Sequence, residues 1–149
     1  MSEHRATLEW KRNTPDFRYE TYDRDHTLRF GGGMTIQASS APEYLGKAEL
    51  PNPEEILATS ASSCHFLSFL AIAAKNRLIV DEYHDDPVAV LEKNSEGNLS
   101  ITKIYLRPRV KFGGEPPTRE KLLALHEKAH HLCFIANSLK SEIILELQE

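Results

Sequence analysis

The chain has 149 residues, of which 40% are hydrophobic and 27% are charged, and its formal net charge is -4 at pH 7. This composition is that of an ordinary water-soluble protein, so one domain spanning residues 1–149 is expected. An acidic chain lacks the concentrated Lys and Arg that neutralise phosphates, which argues against nucleic-acid or membrane-surface binding and favours a small-molecule substrate.

The N-terminal segment has no apolar stretch after a basic one, so no secretory signal peptide is expected and the predicted location is the cytoplasm. The chain contains two cysteines, Cys64 and Cys133. In a reducing compartment, such a pair is more often catalytic or redox-sensing than a permanent disulfide.

Short strands are predicted in the first third of the chain. Turn-forming residues at 13–16 and three glycines at 31–33 separate these strands, and residues 39–51 form a polar connection of a length that is often functional. The alternation of apolar and polar residues places the strands at residues 6–10, 17–21, 28–30 and 34–36.

Residues 52–75 predict one long helix around which the rest of the chain is organised. Asn52 can cap its N-terminus, Pro53 suits the first helical position, and Glu55 completes a capping box. Large apolar residues fall on more than one face, so the helix should be enclosed. Its Ser, Thr and His residues favour enclosure by protein over a membrane span. Small residues precede Cys64 and leave space beside its sulfur.

Two long strands, residues 78–93 and 99–112, are predicted to form a hairpin after the long helix. The apolar phase of the second strand changes near Thr102 and Lys103, which predicts a β-bulge there. Pro108 predicts an edge or a break in the same strand.

A second helix is predicted to begin at residues 116–118, and residues 142–147 are predicted to close the chain as a strand. Helical spacing gives this second helix an inward face. The residues expected on that face are Leu122, Leu125, Ala129, Leu132 and Cys133.

The order of strands, long helix, strands, helix and strand predicts an α+β fold with mostly antiparallel sheets around long central helices. An enclosed helix needs cover on several sides. One small sheet and one further helix provide little of it, so we expect a homodimer in which the partner helps to wrap the central helices.

A formal metal motif lies on the second helix. Residues 126–130 match H-E-x-x-H, which would place His126 and His130 on one helix face with a glutamate as a general base. A catalytic zinc needs a third protein ligand, and the 19 residues after His130 offer chiefly Glu142, Glu146 and Cys133. A zinc hydrolase is therefore the less favoured hypothesis, and no metal or cofactor is expected.

Three segments together resemble the OsmC/Ohr family of osmotically inducible and organic hydroperoxide resistance proteins, in its OsmC-like branch. The resemblance covers nearly the whole chain and includes the order of elements and the spacing of ten residues from Glu54 to the first cysteine. The matching segments are residues 52–55 (NPEE), 62–65 (SSCH) and 130–133 (HHLC), followed by Asn137.

This resemblance implies an intertwined homodimer and a thiol peroxidase. Cys64 would attack a hydroperoxide and become a sulfenic acid, and Cys133 would resolve it as a Cys64–Cys133 disulfide, which a dithiol or a thioredoxin-like protein would then reduce. A thiolate in apolar surroundings needs a nearby cation. We assign that role to Arg24, with Arg29 and Arg18 as alternatives.

Glu54 is the fourth expected site residue. Ten helical residues separate it from Cys64 by about 15 Å along the axis, so it cannot touch the Cys64 of its own chain. Either an arginine bridges part of this gap, or the glutamate of one subunit serves the cysteine of the other. His65 should point about 100° away from Cys64 and pack in the interior. A ligand-binding or redox-sensing protein of the same fold, without turnover, remains the alternative function.

Overall fold

The computed structural model describes residues 1–148. The chain divides into two compact units, residues 1–56 and residues 57–149, and the boundary falls in the first turn of the long helix. Helices and strands together confirm the α+β class, with sheets that are antiparallel except for one pair of strands.

The first unit contains a three-stranded antiparallel sheet in the order β1-β2-β3, formed by Ala6–Glu9, His26–Phe30 and Thr35–Ala38. The prediction of a strand at residues 17–21 is wrong, because this segment forms a turn. The backbone N–H groups of Thr21 and Tyr22 both donate to the carbonyl of Arg18, and the Thr21 hydroxyl donates to Asp16. Such local side-chain and turn bonds compete with a strand ladder.

The polar connection after β3 is ordered by hydrogen bonds. It contains a short 3-10 helix, Pro42–Tyr44, and the backbone N–H of the buried Ser39 donates to the carbonyl of Pro51. At Gly46 a Cβ atom would lie 1.6 Å from the carbonyl oxygen of Ser40, so only glycine fits this close approach.

Helix α1, Pro53–Lys75, begins with the predicted capping box. The N–H of Glu55 donates to Asn52 Oδ1 at 2.9 Å, and the N–H of Asn52 donates to Glu55 Oε1 at 3.3 Å. By length and composition alone this helix could cross a membrane, a test that the central helix of a water-soluble protein also passes.

The second unit carries two small sheets, because each predicted long strand is broken in the middle. Residues 85–87 divide the first and Pro108 divides the second. The strands are β4 Ile79–His84, β5 Val88–Lys93, β6 Leu99–Leu106, β7 Arg109–Gly113 and β8 Glu142–Leu145. The sheets are β4-β7 and β5-β6-β8, and β8 pairs with β6 in parallel.

The predicted bulge is confirmed. Val90 pairs with Lys103 while Leu91 pairs with Ile101, which leaves Thr102 unpaired.

Helix α2, Arg119–Leu132, is capped by Thr118, whose side chain accepts from the N–H of Lys121. Leu125, Ala129 and the following Cys133 are buried as predicted, but Leu132 is 52% exposed and does not belong to the inward face.

Two hydrophobic clusters hold α1 in the second unit. Near its C-terminal end, Phe69, Ile72 and Ala73 pack against α2, β4 and β7. Near its N-terminal end, Ala58 and Ala61 pack against β6, where their small side chains let the strand approach closely. The two clusters hold the part of α1 between them, which carries Cys64, at a fixed position relative to the C-terminal segment.

Candidate functional site

The two cysteine side chains meet in the second unit. Cys64 lies in the middle of α1, on the flank of the stripe formed by Ala61, His65 and Phe69, and is half-buried. Cys133 ends α2 and is 1% exposed. Both are free thiols, and Cys64 lies close enough to Cys133 to help raise the pKa of its thiol. The fold therefore brings together the two cysteines that the sequence singled out.

The surroundings of Cys133 favour its protonated form. Burial first, and then the neighbouring Cys64 thiol, raise the pKa of the Cys133 thiol to about 11, although the backbone N–H of Ala136 donates to its sulfur at 3.3 Å. At neutral pH Cys133 is therefore a thiol, and the half-buried Cys64 is the sulfur that an oxidant from solvent meets first.

A buried histidine pair links α1 to α2. Nε2 of His65 lies 3.0 Å from Nδ1 of His126, the two rings are stacked with a centroid distance of 5.3 Å, and each residue is 1% exposed. Phe69 stacks on the other side of His126 at 4.3 Å. Sequence reasoning placed His65 in the interior, but it did not identify its partner.

Both histidines are held in the neutral form. Burial first, and then the neighbouring His126 and His130, lower the pKa of His65 to about 3, and burial lowers the pKa of His126 to about 4. The pair is therefore a neutral hydrogen-bonded connection between the two helices, immediately beside Cys64 in the sequence.

The first histidine of the H-E-x-x-H motif, His126, belongs to this buried pair. Nδ1 of His126 faces His65, while Nε2 of His126 and Nδ1 of His130 are buried without a hydrogen-bond partner among the described residues. Among residues 1–148, no group of three or more His, Cys, Asp and Glu side chains has an arrangement that could hold a metal ion.

A small cavity of about 240 Å³ lies beside the residues that precede Cys64. Ser62, Ser63 and Tyr83 line it together with Asp85, whose carboxylate accepts from the Ser62 hydroxyl and from the backbone N–H of Arg107 at 2.6 Å. No local sequence pattern indicates a role for Asp85, because its partners lie more than 20 residues away along the chain.

The other two expected site residues, Glu54 and Arg24, belong to the first unit. Oε2 of Glu54 is buried and has no hydrogen-bond partner in the part of the chain that the structure describes. Arg24 donates to the carbonyls of Tyr22, at 2.6 Å, and Tyr19, and its guanidinium lies 3.7 Å from the centre of the Tyr22 ring.

Ion pairing distinguishes Arg24 from the two alternative arginines. Arg18 pairs with Asp16 at 2.9 Å and Arg29 lies 3.9 Å from Glu9. Within residues 1–148, Arg24 pairs with no carboxylate. Its charge is therefore the one still available to an anionic group.

The family model described as OsmC-like protein matches residues 46–148. The chain belongs to the OsmC-like family. Among solved structures, an OsmC-like protein of unknown function from Vibrio cholerae is 44% identical, with a TM-score of 0.95 over 99% of this chain and 100% of that one. The resemblance found in the sequence is thereby confirmed.

This OsmC-like chain is also similar to more distant proteins, one by structure and one by sequence. The organic hydroperoxide resistance protein OhrB of Bacillus subtilis is 18% identical, with a TM-score of 0.72 over 99% of this chain and 98% of OhrB. The uncharacterised Bacillus subtilis protein YmaD is 25% identical over 126 residues, which cover 78% of this chain and 79% of YmaD. An organic hydroperoxide resistance protein thus has the fold of this chain.

Proposed function

We propose that the chain is a two-cysteine thiol peroxidase that reduces organic hydroperoxides. The observation that carries this proposal is the proximity of the Cys64 and Cys133 thiols, of which one is half-buried and the other is buried. Family membership supports it, because organic hydroperoxide resistance proteins have this fold.

In the proposed cycle, the Cys64 thiolate attacks the terminal oxygen of the hydroperoxide. The O–O bond breaks, an S–O bond forms, and the departing alkoxide takes a proton to leave as an alcohol. The Cys133 thiol then attacks the sulfenic sulfur of Cys64, and a disulfide forms as water leaves. A dithiol or a thioredoxin-like protein returns both cysteines to thiols by exchange and is itself oxidised.

Arg24 and Glu54 complete the proposed site. Arg24 supplies the cation that favours the thiolate, since its charge is not paired with a carboxylate within residues 1–148. Glu54 accepts from a donor at its buried Oε2. Because Glu54 lies about 15 Å along α1 from the Cys64 of its own chain, a homodimer in which each subunit serves the other satisfies this distance.

Oxidation should link the two cysteines within one chain. After one equivalent of an alkyl hydroperoxide, we expect mass spectrometry of the digested wild-type protein to find a Cys64–Cys133 disulfide, because the two thiols lie close together. A sample without oxidant is the control. If both thiols stay reduced after exposure to excess hydroperoxide, the ligand-binding or redox-sensing alternative replaces the peroxidase.

The native protein should be a homodimer. We expect sedimentation at micromolar concentration to give about twice the 16.9 kDa chain mass, because α1 carries exposed Leu67 and the first unit exposes Leu8 and Phe17. A monomer that still consumes hydroperoxide would contradict the proposal that subunits share a site.

A further inference from the structure

The cavity beside the residues that precede Cys64 has one charged side chain in its wall, that of Asp85. It has a volume of about 240 Å³ and lies entirely within the second unit. A drug-sized ligand usually needs roughly 300–1,000 Å³, so this cavity can hold only a small molecule. The other residues of the wall carry hydroxyl groups or aromatic rings and are Thr59, Ser62, Ser63, Phe66 and Tyr83.

Two hydrogen bonds fix the position of the Asp85 carboxylate. The Ser62 hydroxyl donates to its Oδ2, and the backbone N–H of Arg107 donates to its Oδ1 at 2.6 Å. An ionised carboxylate offers about four acceptor sites on its two oxygens, so both oxygens can accept a further hydrogen bond. The carboxylate is therefore held in place and still has acceptor sites for a ligand.

Asp85 pairs with no Lys, Arg or His side chain in the part of the chain that the structure describes. The guanidinium of Arg107 pairs with Glu146 instead, at 3.2 Å. The guanidinium of Arg109 lies 3.8 Å from Asp86. A partly buried carboxylate without a cation is unfavourable, because it has lost part of its hydration and has gained no counter-charge. The wall therefore favours a positively charged ligand.

The aromatic part of the wall also suits a cation. The rings of Phe66 and Tyr83 are tilted against each other, with their centroids 4.9 Å apart. The faces of such rings attract cations. Burial first, and then the charge of Asp85, raise the pKa of the Tyr83 hydroxyl above its usual range, so this phenol stays neutral and the carboxylate lies near it. Asp85 is thus the one ionised group of the wall.

We propose that this cavity binds a small organic ammonium ion, the protonated form of a primary amine with a short alkyl chain. The ammonium N–H groups donate to the Asp85 carboxylate and to the Ser63 hydroxyl, and the alkyl chain packs against Phe66. A calcium ion would need about six to eight oxygen ligands, and residues 1–148 contain no group of three or more His, Cys, Asp and Glu side chains that could hold a metal ion. Neither cysteine lines this cavity, so the site is separate from the proposed peroxidase.

The backbone N–H of Arg107 is a reporter at the site, because it donates to Asp85. Its signal in amide proton–nitrogen NMR spectra should shift when a ligand reaches the carboxylate. The probes are n-butylammonium chloride and 1-butanol, which have the same chain length and differ in the charge of the head group. Titrations at neutral pH and constant ionic strength give a dissociation constant for each probe. We expect the wild-type protein to bind butylammonium about tenfold or more tightly than butanol, the size of one hydrogen bond to a charged group.

Asp85→Asn removes the charge and keeps an oxygen that can accept from the N–H of Arg107. It should lower the preference for butylammonium about tenfold or more. Asp86→Asn is the matched control, because it makes the same change at the next residue, whose side chain is 71% exposed and lies outside the wall. Solvent screens this exposed charge, so the preference should stay within about twofold of the wild-type value.

Phe66→Leu tests the same site without changing its charge. Loss of one ring should lower the preference about two- to fivefold, the size of a cation–π contact at an exposed site. Each preference is a ratio measured within one variant, so a general weakening of binding does not alter it. Equal affinity of the wild-type protein for both probes, or equal losses in Asp85→Asn and Asp86→Asn, would overturn the proposal.

Potassium chloride distinguishes an organic ligand from a metal cation. A shift of the Arg107 signal with potassium, but not with butylammonium, would overturn the assignment of an organic ammonium ion. No oxidant takes part in these titrations, so their result does not depend on whether the cysteines reduce hydroperoxides.

Discussion

Replacing Cys64 with serine is expected to lower the rate of hydroperoxide consumption by on the order of 10³-fold or more, since a hydroxyl is a far weaker nucleophile than a thiolate. The measurement is steady-state loss of an alkyl hydroperoxide in the presence of a dithiol. Full turnover in Cys64→Ser would refute the proposed peroxidase, because no remaining thiol is accessible: Cys133 is 1% exposed and its pKa is raised to about 11 by burial and by the neighbouring Cys64 thiol.

Cys133→Ser is the matched control, because it makes the same sulfur-to-oxygen change at the buried partner. The first attack should remain, so one equivalent of hydroperoxide is still consumed. Without a resolving thiol, Cys64 should then stay as a sulfenic acid and proceed to sulfinic acid under excess oxidant. Mass spectrometry distinguishes the two acids by one oxygen atom. Equal behaviour of the two serine variants would contradict the distinct roles assigned to the thiols.

Acid should destabilise the protein more than its carboxylates alone would. His65 and His126 ordinarily titrate at 6.5, and burial lowers their pKa values to about 3 and about 4. At pH values between the lowered and the ordinary pKa, each of these histidines binds a proton in the unfolded chain but not in the folded chain. Their contribution to stability is therefore complete above pH 6.5 and falls as the pH drops. A change from pH 7.5 to pH 5 should therefore lower the free energy of unfolding by about 2 kcal/mol for each histidine.

Urea unfolding at both pH values measures this loss. Changing His65 and His126 together to leucine is the control, since replacing both partners of a buried hydrogen bond by apolar groups leaves no orphaned donor. His130 remains in this variant, and Tyr83 still packs against Phe69. We expect the double variant to lose about 4 kcal/mol less than the wild type over the same pH change. Equal losses would mean that other groups cause the acid sensitivity.

The features of the fold that the sequence predicted are those encoded within a few residues. The capping box of Asn52 and Glu55 sets the start of α1, and Pro108 interrupts a long strand. The bulge at Thr102 was predictable because an extra residue in a strand shifts the alternation of apolar and polar residues by one position.

What the sequence did not reveal depends on contacts between distant residues. His65 and His126 are separated by 61 positions, and neither has a neighbour that indicates the other. The polar segment at residues 17–21 alternates like a strand, yet local bonds to Arg18 and Asp16 turn it. The thiol pair was predicted through family resemblance, because no local pattern brings Cys64 to Cys133.

The parallel pairing of β8 with β6 has a consequence for the order of folding. Strand β8 completes the sheet beside Ile104 and Leu106, although a hairpin-free stretch that contains α2 separates it from β6 along the chain. Ile135 and Leu139, which join the cluster beneath that sheet, follow Cys133. The long loop between β6 and β8 must therefore close before this cluster is complete, and the segment that carries Cys133 becomes fixed only in that late, non-local step.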